Sequence, residues 1–141
     1  MKKTIALILS IVFVLSSLST AFAEEVTVPE DEPIVEDYID LSRITVSLQT
    51  NGNTASCYGS ARTIVSTDSI HMWMYLQKQT SNGWTTVYSW YEQDVHLAVL
   101  DESRSGLSSG TYRLRLYVKV YDANGYFVES ANAYSKLKTV S

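Results

Sequence analysis

The stretch "TYRLRLYVKVY", Thr111 to Tyr121, decides the fold. Along it, leucine and valine alternate without interruption with arginine, lysine and tyrosine. Successive side chains of a strand point to opposite faces of its sheet, so this run predicts a strand with one buried face. We expect the inward set to be Tyr112, Leu114, Leu116, Val118 and Val120, and the outward set to be Arg113, Arg115, Tyr117, Lys119 and Tyr121.

Three Asn-Gly pairs divide the surrounding chain into hairpins. Asn51-Gly52, Asn82-Gly83 and Asn124-Gly125 each lie between runs with strand patterning. Asn-Gly suits a type I′ turn, in which both central residues need a positive φ. With the shorter run "VHLAVL", the pattern predicts seven strands with hairpins 1–2, 3–4 and 6–7, and no run has a helical period.

The order of these hairpins favours an all-β antiparallel sandwich of the immunoglobulin or fibronectin type III kind. We expect the first, second and fifth runs in one sheet, and the fourth, third, sixth and seventh in the other. Tyr112 would be the tyrosine corner of such a sandwich. Cys57, the only cysteine, would pack as a small buried hydrophobe against Leu114.

The first 40 residues differ in composition from the rest. Lys2 and Lys3, the apolar run "IALILSIVFVL" and the ending Ala21-Phe22-Ala23 are typical of a signal peptide. We expect residues 1–23 to be cleaved, with an uncleaved N-terminal anchor as the alternative. Residues 24–40 would then be an acidic, extended and mostly disordered linker, and residues 41–141 the β-sandwich domain of a secreted protein that is not membrane-anchored.

The acidic residues concentrate in that linker, where eight carboxylates lie in residues 24–40 without a base. The other seven acids and nine bases belong to residues 41–141, so the domain itself is close to neutral. Its basic residues are too few for nucleic acid, and no nucleic-acid partner is expected. The linker acids lack the spacing of a calcium loop, so no metal is expected there.

One match to a catalytic motif occurs, at Ser108 in "GLSSG". A hydrolase nucleophile elbow needs a helix after the serine and a histidine later in the chain. Here a strand pattern follows, and both histidines, His71 and His96, come earlier and read as ordinary strand residues. We therefore predict a non-catalytic protein with no metal or cofactor. A serine hydrolase using Ser108 is the remote alternative.

The stretch "HMWMYLQKQTSNGWTTVYSW", from His71 to Trp90, contains every tryptophan of the chain. If Met72 and Met74 point into the core, Trp73 and Tyr75 point outward beside the basic residues of the sixth run. Aromatic rings next to arginine are the composition of binding hot spots, although cross-strand aromatic pairs also stabilise sheets. The candidate binding face is Trp73, Tyr75, Arg115, Tyr117 and Tyr121. Trp84 and Trp90 share a face by parity unless a bulge intervenes.

The segments "LQKQTSNGWTTVYSW" and "LSSGTYRLRLYVKVYDANGYFVES", together with the signal peptide, resemble a family of small secreted proteins of unknown function from Gram-positive bacteria. The resemblance covers nearly the whole domain and implies export and a β-fold, but no activity. We predict an extracellular binding or interaction module whose partner is a glycan or a protein. The alternative is a structural or envelope-associated protein in which the aromatic residues only pack or mediate self-assembly.

Overall fold

The computed structural model describes residues 38–141, which form eight strands and no helix. The expected signal peptide and most of the expected acidic linker lie outside the described residues. The strands are β1 (Leu41–Asn51), β2 (Thr54–Thr63), β3 (Ser69–Thr80), β4 (Gly83–Val95), β5 (Leu97–Arg104), β6 (Gly110–Tyr121), β7 (Phe127–Tyr134) and β8 (Lys138–Val140).

These strands form two antiparallel sheets. The smaller sheet has the order β1-β2-β5, and the larger has the order β4-β3-β6-β7, with β8 also paired to β6. The predicted division of the runs between the sheets is confirmed. The expected number of strands is wrong, because the last run is interrupted at Ser135, whose hydroxyl oxygen accepts a hydrogen bond from the Leu114 N–H at 2.8 Å. The chain then returns to the other half of β6 as β8.

The three predicted hairpins are present, but their turns differ from the type I′ expectation. The asparagines of the Asn-Gly pairs do not have a positive φ, whereas Gly52, Gly83 and Gly125 do, at 58°, 129° and 84°. In the first hairpin Asn51 still pairs with Thr54, so the loop residues are Gly52 and Asn53. A glycine supplies the left-handed conformation alone, since it carries no Cβ penalty.

The core lies between the sheets, and the two sheets contribute side chains of different size. The larger sheet supplies most of the bulky members, among them Met74 and Leu116, which are fully buried. The smaller sheet adds Leu41, Ile44, Leu48 and Leu100, but its central strand β2 supplies only small residues: Ala55, Cys57, Gly59 and Ala61. A Cβ added to Gly59 would lie 2.7 Å from Leu116 Cδ1 and 3.3 Å from Met74 Sδ. The absence of a Cβ at this position therefore lets Met74 and Leu116 pack directly against the β2 backbone.

His96 connects the two sheets at a sharp corner between β4 and β5. It has a φ of 68°, the only positive φ among the non-glycine residues described. Its N–H donates to the Asp68 carbonyl at 2.8 Å, and its own carbonyl accepts from the Thr63 N–H at 3.0 Å. The expectation that His96 is an ordinary strand residue is wrong. These backbone bonds hold it in a conformation that costs energy outside glycine.

The start of β1 is attached to β7 by a single carboxylate. Glu129 accepts hydrogen bonds from the N–H groups of Ile39, Asp40 and Leu41, at 3.0, 2.7 and 2.6 Å. The Asp40 carbonyl in turn accepts from the Ile64 N–H at 2.6 Å. The junction between the acidic segment and the domain is thus a fixed part of the sandwich.

Candidate functional site

The candidate site is the outer face of the larger sheet, and strict alternation along β3 and β6 creates it. On β3, Met72 and Met74 are fully buried, whereas Trp73 and Tyr75 between them are half-buried on the opposite side. On β6 the same pattern buries Leu116. The five predicted face residues all lie on this outer face: Trp73, Tyr75, Arg115, Tyr117 and Tyr121.

A row of three aromatic rings crosses the sheet at its centre. Trp73 pairs in register with Tyr91 of β4 on one side and with Tyr117 of β6 on the other. The ring centroids of Trp73 and Tyr91 are 5.0 Å apart, and those of Trp73 and Tyr117 are 5.7 Å apart. These distances are within the range of favourable aromatic pairs. We call Tyr91, Trp73 and Tyr117 the aromatic row.

A second group of rings adjoins the aromatic row toward the β6–β7 turn. His71 lies 4.8 Å from Tyr121 and 6.2 Å from Trp73, centroid to centroid, and Tyr121 lies 5.9 Å from Phe127. Tyr91 Oη is 2.8 Å from His71 Nδ1 and donates to Gln93 Oε1 at 3.2 Å. The contact between Tyr91 Oη and His71 Nδ1 fixes the direction of the imidazole ring, whichever of the two atoms donates. His71 therefore belongs to the face as an oriented ring.

Three cations lie among the rings. Lys119 Nζ is 5.9 Å from the Trp73 ring and 5.8 Å from the Tyr117 ring. The Arg115 guanidinium lies 5.6 Å from the Tyr75 ring and 5.7 Å from the Tyr117 ring. These positions satisfy the distance for cation–π attraction. Lys119 and Arg115 thus both lie next to the aromatic row.

Arg113, the third cation, lies at the other end of the face. Its guanidinium is 4.2 Å from the Trp84 ring and 4.5 Å from the Tyr134 ring, and its Nε donates to Gln77 Oε1 at 3.0 Å. Burial lowers the pKa of Arg113; the neighbouring Tyr134 acts in the opposite direction, and Arg115 lowers the pKa further. An arginine remains charged under such shifts, so Arg113 contributes a positive charge to the face.

The face has no carboxylate to neutralise these cations. The residues that pair across the sheet on its outer side include three bases and no aspartate or glutamate among the described residues. Arg115 donates from Nε to Asn132 Oδ1 at 2.9 Å. Since that bond and the Arg113–Gln77 bond each use only Nε, the terminal nitrogens of both guanidiniums remain available.

Trp84 and Trp90 lie on opposite faces, because a bulge in β4 interrupts the parity that would have placed them on one face. Leu76 pairs with Tyr88, but the next residue of β3, Gln77, pairs with Thr86, so Val87 is an extra residue in β4. This bulge shifts the alternation by one position. Trp84 therefore lies on the outer face against Arg113, whereas Trp90 packs at the margin of the core with its ring 4.8 Å from that of Tyr88.

Sequence reasoning missed Tyr91 and Trp84 as members of this face, because both lie on β4. The Asn82-Gly83 hairpin is the sequence feature that could have indicated them, because it pairs β3 with β4 and so brings rings of β4 beside Trp73. Without the position of the bulge, the sequence does not indicate which rings of β4 point outward.

Ser108 is the serine of the GLSSG motif match. Ser108 lies in the loop between β5 and β6, with strands on both sides rather than a following helix. Its hydroxyl accepts from Lys78 Nζ at 2.7 Å, and its carbonyl accepts from the Tyr112 hydroxyl at 2.6 Å. Tyr112 therefore ties this loop to β6.

Cys57 is buried in the core, as expected for a small apolar residue. Burial, with a smaller contribution from Glu102, raises the pKa of its thiol to about 12. The thiolate is the reactive form of cysteine, so this thiol is held in its unreactive state.

The structure also bears on metal binding and on membrane insertion over residues 38–141. No group of three or more histidine, cysteine, aspartate or glutamate side chains is arranged to hold a metal ion there. In the same part of the chain, no helix is long and apolar enough to cross a membrane. In comparisons with known proteins, neither a family model nor a curated protein matches the chain.

Proposed function

We propose that the protein is a secreted, non-catalytic module that binds an acidic extracellular glycan through the outer face of its larger sheet. The observation that carries this proposal is the combination of the aromatic row with Arg113, Arg115 and Lys119 on a face without carboxylates. A face of this kind combines two attractions, apolar contact with rings and charge contact with anions.

The ligand class follows from both parts of the face. The apolar face of a sugar ring stacks on flat aromatic side chains, and the aromatic row offers three neighbouring rings across three strands. A carboxylate or sulfate on that sugar would meet the terminal nitrogens of Arg115, which form a fork suited to such groups. Charge contacts between exposed groups weaken with salt, so binding should fall as ionic strength rises.

For the fold we propose the immunoglobulin or fibronectin type III kind of sandwich. The division of strands between the sheets supports it, and so does the hydrogen bond from Tyr112 to the Ser108 carbonyl.

For export we propose cleavage after Ala23, which the Ala21-Phe22-Ala23 pattern supports. N-terminal sequencing of the protein recovered from culture medium should begin at Glu24. A protein retained in the cell, or one beginning at Met1, would overturn this part of the proposal.

The central test replaces Trp73 with alanine and measures binding to immobilised acidic and neutral polysaccharides. Trp73→Ala should weaken binding to acidic polysaccharides at least about tenfold, or about 1.4 kcal/mol. It should lower the free energy of unfolding by only about 1–2 kcal/mol, because cross-strand pairs contribute roughly 0.2–1 kcal/mol each. Tyr126→Ala is the matched control, since Tyr126 is an exposed ring in the β6–β7 turn outside the aromatic row.

Two charge variants test whether binding depends on the position of the charge or only on the net charge of the protein. Arg115→Gln should reduce affinity and the salt dependence of binding, whereas Arg104→Gln, with the same change of net charge on β5, should preserve both. Equal losses for the two variants, or no binding by the parent protein to any acidic polysaccharide, would contradict the proposal.

The second candidate function is self-assembly or binding of a protein partner. It is favoured by the exposure of Tyr91, Tyr126, Phe127 and Tyr134 on or beside the same sheet. Sedimentation that depends on protein concentration, and that Trp73→Ala abolishes, would support this candidate in place of glycan binding.

A further inference from the structure

A separate cavity lies on the smaller sheet, on the side of the molecule opposite to the aromatic row. Its volume is about 470 Å³, which is in the range of small-ligand sites. Its wall includes Arg43, Thr45, Tyr58, Ser60, Arg62 and Leu97.

The strand register explains how this cavity forms. Ser60 is 9% exposed and pairs across the sheet with Thr45 of β1, so small side chains occupy its centre. Tyr58 and Arg62 lie two residues before and after Ser60 and point to the same face of β2. A short side chain between two long ones leaves a depression with the Ser60 hydroxyl at its floor.

The most unusual feature of the wall is a pair of like charges. Arg43 and Arg62 are directly opposite each other in the β1–β2 register. Like charges at such positions destabilise a sheet. The wall contains no carboxylate, and neither guanidinium forms an ion pair with another residue in the range 38–141. The domain therefore contains an uncompensated charge pair that an anion would stabilise.

The remaining polar groups of the wall are hydroxyls. Thr45, Tyr58 and Ser60 each offer a hydroxyl donor, and the Ser60 hydroxyl has no hydrogen-bond partner among the described residues. Each arginine adds up to five N–H donors in a planar fork. Donors that converge from two sides and from below suit an oxyanion with several oxygens.

We propose that this cavity binds a dianionic phosphate or sulfate group between Arg43 and Arg62, with the Ser60 hydroxyl as a third donor. Two positive charges match a dianion better than a single carboxylate. The cavity exceeds the size of the anion alone, which fits an anion carried by a sugar or another small polar group. The proposal is independent of the face proposed above, because the cavity belongs to the other sheet.

The first experiment titrates the protein with glycerol phosphate, inorganic sulfate and acetate at one fixed low ionic strength, with amide chemical shifts as the readout. Both dianions should shift the amides of Arg43, Ser60 and Arg62 and saturate, whereas acetate should bind about tenfold more weakly. A phosphate monoester loses its second charge near pH 6. Lowering the pH from 7.5 to 5 should therefore weaken the binding of glycerol phosphate and leave the binding of sulfate unchanged. This difference distinguishes the two sources of the dianion.

The second experiment compares melting temperatures of two variants. Arg43→Gln should melt at a higher temperature than the parent in low salt without the anion, and its melting temperature should no longer rise with sulfate. Arg104→Gln, at the far end of the same sheet, should keep the parent's response to sulfate. Two results would overturn the proposal. The first is that sulfate shifts only the amides of Arg113, Arg115 and Lys119. The second is that sulfate raises the melting temperature of the parent protein no more than chloride does at equal ionic strength.

Discussion

The outer faces of the two sheets differ although the same alternation produces both. On the larger sheet, rings and cations lie against one another, and Trp73 contacts three other rings. On the smaller sheet, two arginines face each other beside a serine–threonine pair, and the cavity they line contains no carboxylate. One face is filled by its own side chains, and the other leaves an open cavity.

The inner faces show the reverse relation. Bulky side chains of the larger sheet, such as Met74 and Leu116, fill the space above Gly59 of the smaller sheet. The larger sheet therefore provides most of the apolar burial and also the large exposed rings. The comparison teaches that side-chain size has to be balanced across the core but not across the outer faces, where residues are free to serve ligands.

The largest expected effect tests the parity of the larger sheet. Leu116→Ala should lower the free energy of unfolding by about 2–5 kcal/mol, because it leaves a cavity in the core. Its neighbour Tyr117 points outward, and Tyr117→Ala should cost about 1–2 kcal/mol, since it removes only cross-strand ring pairs. Urea unfolding of both variants measures the difference. A larger loss for Tyr117→Ala would reverse the assignment of inner and outer faces.

The next effect concerns the smaller sheet. Gly59→Ala should cost about 1–3 kcal/mol, because the added Cβ would lie 2.7 Å from the buried Leu116 Cδ1. Replacing Leu116 with valine shortens that side chain, so the double variant should lose less stability than the sum of the two single changes. A double-mutant cycle by urea unfolding measures this coupling. Strict additivity would mean that the two residues do not meet.

The smallest effect lies in the β2–β3 connection between the sheets. Asp68 is 2% exposed, and its Oδ2 has no hydrogen-bond partner among the described residues. Burial, followed by the nearby Asp40 carboxylate, raises the pKa of Asp68. The folded protein therefore favours the protonated acid. The stabilisation is complete below the pKa of about 3.9 in the unfolded chain and is lost as the pH rises through the raised folded value.

Asp68→Asn should consequently raise the urea midpoint at pH 7, and the gain should shrink as the pH is lowered toward 4. Asp101→Asn, on the exposed side of β5, serves as the control and should change little at either pH. A gain for Asp68→Asn that is independent of pH would show that the buried charge is not its cause.

The sequence was sufficient to predict which side chains of β3 and β6 point inward and which point outward. The alternation along both strands is regular, and the apolar side must be buried. It was insufficient for β4, where the single extra residue Val87 exchanges the two sides and places Trp84 outside. It was also insufficient at His96, whose strained corner depends on backbone bonds to Thr63 and Asp68 from distant parts of the chain. Single-residue irregularities cost little energy and leave little trace in composition.

The same limit applies to the candidate sites. The five predicted face residues lie together because they belong to two strands of regular alternation. The opposition of Arg43 and Arg62 depends on which two residues form the loop of the first hairpin, because the register runs from Asn51–Thr54 to Arg43–Arg62 without a shift. The expected Asn51-Gly52 loop would have placed Arg43 opposite Ser60, whereas the observed Gly52-Asn53 loop places it opposite Arg62.

The attachment of Ile39, Asp40 and Leu41 to Glu129 has a consequence for proteolysis at the start of the domain. A protease reads an extended substrate through its backbone N–H and carbonyl groups. At these three residues the N–H groups are already engaged by the Glu129 carboxylate. Enzymes that trim the acidic segment from its N-terminal side would therefore stop short of Ile39, and the trimmed product would keep its first strand in place.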